Sequence, residues 1–358
     1  MAKILSIIIP SYNMEAYLPK CLGSLVVDDR ELLQKLDVIV VNDGSKDRTS
    51  EIAHGFATKY PDVFRVIDKV NGHYGSCINA ALKVASGFYV KVLDADDWFA
   101  TDSFALYIGF LLREVGHNSE PADMVLSDFD FVFEEGKNRR KSYDFMAKTG
   151  LRLSCLDFQN GRNLWQHAVA FQTGKLRAIG YSQLTGLTHT DLQWIFHPVT
   201  TVEKVAYFTG GAVYQYNFLR EGNTFGPTGI NRTFPDQEKV LLVLLRHYLE
   251  LAGHVTAEQD QYLRNFLKYY VMRSYHVHIV KRNPCVKRES LLELDDLLRN
   301  KLTWLYNYAE DLTLEHGYPY RYVHAWRRKQ RVTVRMLITL RFLNLVSRIM
   351  GRARRLFK

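Results

Sequence analysis

Val92 to Trp98 reads Val-Leu-Asp-Ala-Asp-Asp-Trp, so three carboxylates, Asp94, Asp96 and Asp97, follow directly on an apolar run. Carboxylates this close repel one another and lose hydration unless a cation or water offsets their charge. Hard oxygen ligands suit Mg²⁺ or Mn²⁺, and these ions keep coordination positions open for phosphate oxygens. The chemistry on offer is metal-assisted handling of a phosphate ester. An acidic turn in which Asp97 caps the next helix would use the same residues, and the neighbouring elements have to separate the two.

Those elements alternate through the first hundred residues. Leu5–Pro10, Leu36–Val41, Phe64–Ile67 and Tyr89–Leu93 are short apolar runs that read as strands. Glu15–Val27, Asp47–Lys59 and Cys77–Ser86 carry helical spacing between them, the last closed by Gly87 as a C-cap. Strand and helix in this alternation predict an α/β fold: a mostly parallel, Rossmann-like sheet with helices on both faces. Ligands of such sheets bind at the carboxyl ends of strands, and Asn13, Asp43 and Asp94 each follow a strand. Further on, Asp123–Phe133 reads as a strand, and Val205–Phe208 and Val213–Tyr216 as another pair. From Asp236 the pattern turns helical, with helices centred on Leu241–Leu251, Tyr262–Ile279 and Leu291–Tyr308. A boundary near Asn231–Pro235 divides the chain into 1–230, a helical 231–319, and 320–358.

Composition narrows the class. Hydrophobic residues at 47% and aromatics at 13% supply a packed core and exclude global disorder. The four cysteines are far apart and form no Cys-x-x-Cys pair, as expected of reduced thiols in the cytosol. The first ten residues lack the cleavage site of a signal peptide and read as a buried strand. Twelve of the 47 basic residues and none of the 38 acidic ones lie between Tyr320 and Lys358, so residues 1–319 carry about −3. Basicity confined to one segment argues against a nucleic-acid-binding body and for a local anionic partner.

Taken in order, Ser6–Glu15, Val38–Ser45, Asn71-Gly72 through Asn79, and Leu93-Asp94-Ala95-Asp96-Asp97 resemble glycosyltransferase family 2 with its GT-A fold, over roughly residues 4–225. The resemblance implies a nucleotide-sugar site. Pro10, Ser11, Tyr12 and Glu15 match the segment that wraps the nucleotide base. Asp43 matches a second nucleotide contact, commonly to uracil, whose N3–H needs an acceptor; an Asx-turn or helix cap is its other reading. Asn79 lies where the family usually has Arg-Asn; Ile78 replaces the Arg, which leaves His73 or Lys91 as phosphate-facing cation. Asp94 and Asp96 match the Asp-x-Asp motif. Asp94 would face the ribose or the water shell of the metal, and Asp96 the metal itself. Asp191, within Leu187–Trp194, matches the catalytic carboxylate that takes the acceptor's proton in an inverting displacement; it would also suit the first turn of a short helix. Gln193 stands where relatives often carry a second acid, with His189 an alternative base and His197 an extra ligand. Arg220 would swing onto the diphosphate from a loop after Tyr214-Gln215-Tyr216-Asn217.

The segment from Arg327 mixes arginines with leucine, isoleucine and phenylalanine, has no acid and has no run long enough to span a bilayer. Its apolar residues are not confined to one half of the helical wheel. A basic apolar helix of this kind suits an anionic membrane surface, with a packed helix or an oligomer contact as alternatives. Together the readings predict a metal-dependent, inverting transferase that moves a sugar from a UDP-sugar to a lipid-linked saccharide. It would work on the cytoplasmic face of the membrane through residues 327–358, with a homo-oligomer possible and no nucleic-acid partner. The alternative is a non-catalytic nucleotide-sugar-binding scaffold of the same fold.

Overall fold

The apolar run at Leu5 becomes strand β1 (Leu5–Ser11), and the next becomes β2 (Leu36–Asn42); every residue of both is buried. They pair in parallel, and β3 (Phe64–Asp68) and β4 (Tyr89–Val92) add on either side, parallel as well. Such continuous apolar runs are expected of strands covered on both faces. The remaining strands are β5 (Trp98–Phe99), β6 (Met124–Val132), β7 (Asn138–Lys141), β8 (Val169–Gln172) and β9 (Val205–Asn217). The order is β3-β2-β1-β4-β8-β6-β9-β5, with β7 on β6. The computed structural model describes residues 2–133, 137–219, 227–251, 253–313 and 320–343. Two compact units emerge: Met1–Gly229 with Gly253–Leu263, which holds the sheet, and Ile230–Ala252 with Arg264–Lys358.

One antiparallel strand determines what meets at the sheet edge. β8 runs against β4, with Tyr89 opposite Gln172. Residues just before β8 therefore land beside residues just after β4. β6 is antiparallel to β8, and β9 is parallel to β6, so β6 and β9 end on the same edge as β4.

Several local expectations change. Gly87 is not a helix cap, since the helix His73–Val84 ends at Ala85. A Cβ on Gly87 would lie 2.2 Å from Ser6 N, so glycine is needed there for close approach to β1. The pair of strands expected at 205–216 is one strand, interrupted opposite Ser127 and Asp128, where Gly211 takes φ 112°. Glu15–Val27 holds only the short helix Leu18–Gly23. Lys91 cannot face a phosphate: it is fully buried in β4, and its Nζ donates to His167 O at 2.7 Å and Val169 O at 3.3 Å.

Helix Pro227–Leu251 runs through Pro235, inside the stretch expected as a domain boundary. Helix Ala257–Tyr275 continues as a π-helical turn, His276–Lys281, and Arg288–Lys301, Thr303–Glu310 and Tyr322–Arg327 follow. Arg327 is nearly buried rather than part of a basic outer face. It donates to Asp295 at 2.8 Å and Glu310 at 2.7 Å and lies 3.5 Å from the Tyr306 ring centroid. Among the described residues, no helix is long and apolar enough to cross a membrane.

Candidate active site

Asp94 follows β4 at the carboxyl edge of the sheet. Its Oδ1 accepts from Tyr74 Oη at 2.7 Å and its Oδ2 from Gln166 Nε2 at 3.1 Å, with His167 Nε2 3.8 Å from Oδ2. Gln166 and His167 belong to the turn Gln166–Ala168 that leads into β8, so the antiparallel pairing with β4 delivers them. His167 packs edge-on against the rings of Tyr214 and Tyr216, 4.7 and 4.9 Å from their centroids.

Asp97 is buried and does not cap a helix; Ala100 is the N-cap residue of the next one, Thr101–His117. Its Oδ1 accepts from Asn217 N at 2.7 Å and its Oδ2 from Tyr214 Oη. Burial, then the charges of Asp96 and Asp94, push its carboxyl well above the usual carboxylate range. Asp94, Asp97 and His167 each offer a ligand atom, all within 4.8 Å of one another. The buried His167 Nδ1 has no hydrogen-bond partner among the described residues. Two neighbouring carboxylates, one of them held back from ionising, beside an unsatisfied imidazole nitrogen, are a donor set that fits a divalent cation. Asp96 is not one of that trio. It is half-buried, its carbonyl accepts from Asn217 Nδ2, and it lines a cleft of about 550 Å³ with Lys20, Trp98 and Asn217.

Asp191 opens the short helix Asp191–Trp194, so it does occupy a first turn. Burial raises its pKa; the charges of His189 and His167 oppose the rise, and Asp94 adds to it. Asp191 therefore shares its electrostatic surroundings with the Asp94 cluster. The loop that carries it is laced by amides. Gln193 accepts from Leu184 N and donates to Ser182 O, and Gln183 donates to Thr190 O at 2.5 Å. Asn79 reaches across from the helix His73–Val84, donating to Gln183 O at 2.9 Å and accepting from Gln183 N at 2.7 Å. The Asn79 amide is thus engaged with backbone rather than with the strand ends. Gly75 on the same helix lets the loop in, since a Cβ there would sit 1.8 Å from Leu184 O.

On the nucleotide side, Pro10 and Ser11 end β1, and the Tyr12 ring is 45% exposed, open to a stacking partner. Glu15 Oε2 accepts from Arg48 N at 2.9 Å. Asp43 is buried and accepts from Lys69 Nζ at 2.6 Å and Gly72 N at 2.9 Å, while Asn42 closes the turn by accepting from Ser45 N. The cation beside Asp43 is Lys69, which motif reading missed. His73 is exposed at φ 66°, and His197 packs against Tyr181 away from the trio. Arg220 lies outside the described residues. Tyr74, Gln166 and His167 also escaped the sequence, since no spacing ties them to Asp94 at separations of 20, 72 and 73 residues.

Residues 6–182 match the family described as glycosyl transferase family 2, with Asp191 beyond the matched stretch. The chain is 37% identical over 150 residues to an uncharacterized glycosyltransferase, MG025, of Mycoplasma genitalium. That match covers 41% of this chain and 46% of the relative, so the likeness spans about half of that protein's length. It is 38% identical over 104 residues, 29% of each chain, to the uncharacterized glycosyltransferase EpsJ of Bacillus subtilis. Among solved structures it resembles S. aureus TarS 1-349 in complex with UDP-GlcNAc, with TM-score 0.61 at 18% identity over 84% of this chain and 82% of that one. A likeness at that identity is one of fold, and the fold is GT-A.

Proposed function

We propose that this chain, a member of glycosyltransferase family 2 by the match of residues 6–182, transfers a sugar from a UDP-sugar to a hydroxyl of a lipid-linked saccharide, with inversion. The observation that carries the reading is the Asp94–Asp97–His167 cluster at the carboxyl edge of the sheet, with Asp94 and His167 both acting on the charge of Asp191. A transferase of this kind needs a carboxylate for the acceptor and charge neutralisation for the leaving diphosphate, and the action of Asp94 and His167 on the charge of Asp191 supports assigning both roles to this edge. Asp191 takes the proton of the acceptor hydroxyl as the acceptor oxygen bonds to the anomeric carbon. The bond from that carbon to the diphosphate oxygen breaks, and the nucleoside diphosphate leaves with the electron pair. A divalent ion, Mg²⁺ or Mn²⁺, when bound, neutralises the charge developing on that leaving group. Asp94, Asp97 and His167 would hold it, with Asp96 adjoining, and an imidazole in the set favours Mn²⁺. Tyr12 stacks on the base and Asp43 accepts from it. The UDP preference is supported by the fold relative bound to UDP-GlcNAc. A lipid-linked acceptor at the cytoplasmic face is supported by the basic segment after Tyr320.

Thermal stabilisation by UDP-, GDP- and dTDP-sugars, each with Mg²⁺, Mn²⁺ or chelator, tests the donor and metal together. A UDP-sugar with Mn²⁺ should raise Tm most, and Asp94→Asn should abolish the metal-dependent part. Equal stabilisation with and without chelator would overturn the metal-dependent mechanism.

A further inference from the structure

The basic segment's wheel looks imperfect because the helix over residues 334–343 has two apolar faces. Met336, Leu340 and Leu343 are buried in the protein's own fold. Val334, Ile338 and Phe342 are 72%, 65% and 57% exposed, although all three are large and apolar. At about 100° per residue, the exposed trio falls within an arc of about 80°, opposite the buried one. Arg335 and Arg341 are exposed and flank the trio, so the whole outward arc is about 120° wide.

We infer that Val334, Ile338 and Phe342 are the contact by which this protein lies on an anionic lipid bilayer, with Arg335 and Arg341 at the headgroups. Three apolar side chains at successive turns form a flat row that enters the acyl boundary without requiring a span. Cationic flanks favour an anionic surface, and no acid occurs from Tyr320 to Lys358 to oppose it. The same flanks disfavour a second copy, because two identical faces would bring four arginines together. The inference deepens the lipid-linked acceptor of the proposed reaction and rests on that reading only for what the surface is used for. The residues after 343 lie outside the described residues and are not needed for it.

Co-sedimentation of the full chain with vesicles, without donor or acceptor, tests the surface separately from the chemistry. With phosphatidylglycerol:phosphatidylcholine vesicles at 0.1 M salt, the parent protein should pellet, and with phosphatidylcholine alone it should not. Val334→Ser, Ile338→Ser and Phe342→Ser combined should lower partitioning at least tenfold with Tm unchanged, since the side chains are exposed. Arg335→Gln and Arg341→Gln should each lower it about fivefold. Unchanged partitioning of the serine variant would overturn the inference. So would a shift from dimer to monomer in that variant with vesicle binding intact, which would assign the face to a second copy. Loss of transfer to a water-soluble acceptor by the parent would count against the reaction and leave the surface standing.

Discussion

Asp191 carries opposing influences on its charge. Burial and Asp94 disfavour the carboxylate, and the histidines at 189 and 167 favour it, with the balance toward a raised pKa. A base must be deprotonated to act, so turnover should fall as pH drops through that raised value, placing the acid limb above the ~4 of an ordinary aspartate. The stability consequence has the opposite sense. Between the unfolded pKa and the higher folded one, the native state binds more protons, so stability falls as pH rises through this window. Asp191→Asn should therefore keep donor binding, hold or raise Tm, and reduce transfer by about 10²–10⁴-fold with the acid limb lost. Turnover of this variant within threefold of the parent would remove Asp191 from its role. The motif showed Asp94, Asp96 and Asp97 as a group. Its division into a trio with His167 and a cleft-lining Asp96 depends on where β9 and the turn before β8 place their side chains.

One helix connects the two halves of the site. His73–Val84 sets Tyr74 on Asp94 at its first turn and Asn79 on the base loop further along. The Asn79 amide therefore anchors the backbone at Gln183, in the loop that leads to Asp191, and its expected role at the nucleotide has this competing use. Asn79→Ala should lower kcat by about tenfold while leaving the donor's dissociation constant within twofold, from the loss of two hydrogen bonds worth ~1 kcal/mol each. A tenfold weaker donor with kcat unchanged would return Asn79 to the nucleotide. The helical spacing of this segment was readable, as were the strands at Leu5, Leu36 and Tyr89. Which helix face meets residues 182–184 was not, because the partners are about a hundred residues apart. For the same reason Lys91 looked available to phosphate. Its place in a central strand, under the turn that presents His167, appears only once β8 is paired.

For the whole molecule, charge and folding are separable in a way that composition hides. The basic segment reads as one appendage, yet Arg327 ties Asp295, Glu310 and Tyr275 together, and Tyr322, Val323 and Trp326 are buried around it. A cut after Tyr320 would remove these contacts along with the lipid-facing helix, so loss of vesicle binding in that truncation could not be assigned to the helix alone. Arg327→Met should lower unfolding free energy by about 3 kcal/mol, because the buried Asp295 carboxylate would keep only Arg299, at 3.4 Å, and the Tyr275 hydroxyl as partners. Chemical denaturation monitored by tryptophan fluorescence would show it, and a change under ~1 kcal/mol would mean that the network contributes little. On the outer arc of residues 334–343, by contrast, Val334, Ile338 and Phe342 stay exposed.

By itself the sequence determined the alternation of apolar strand and helix, the carboxylates at the end of β4, and a basic segment unlike the rest. These are properties of short windows, where period and neighbouring charge act locally. The tertiary structure decided that His167, Gln166 and Tyr74 join Asp94, that Asn79 holds the loop of Asp191, and that one face of the basic helix is buried while the other is bare. Each depends on strand order and on packing between residues far apart in the chain, and no local period encodes these.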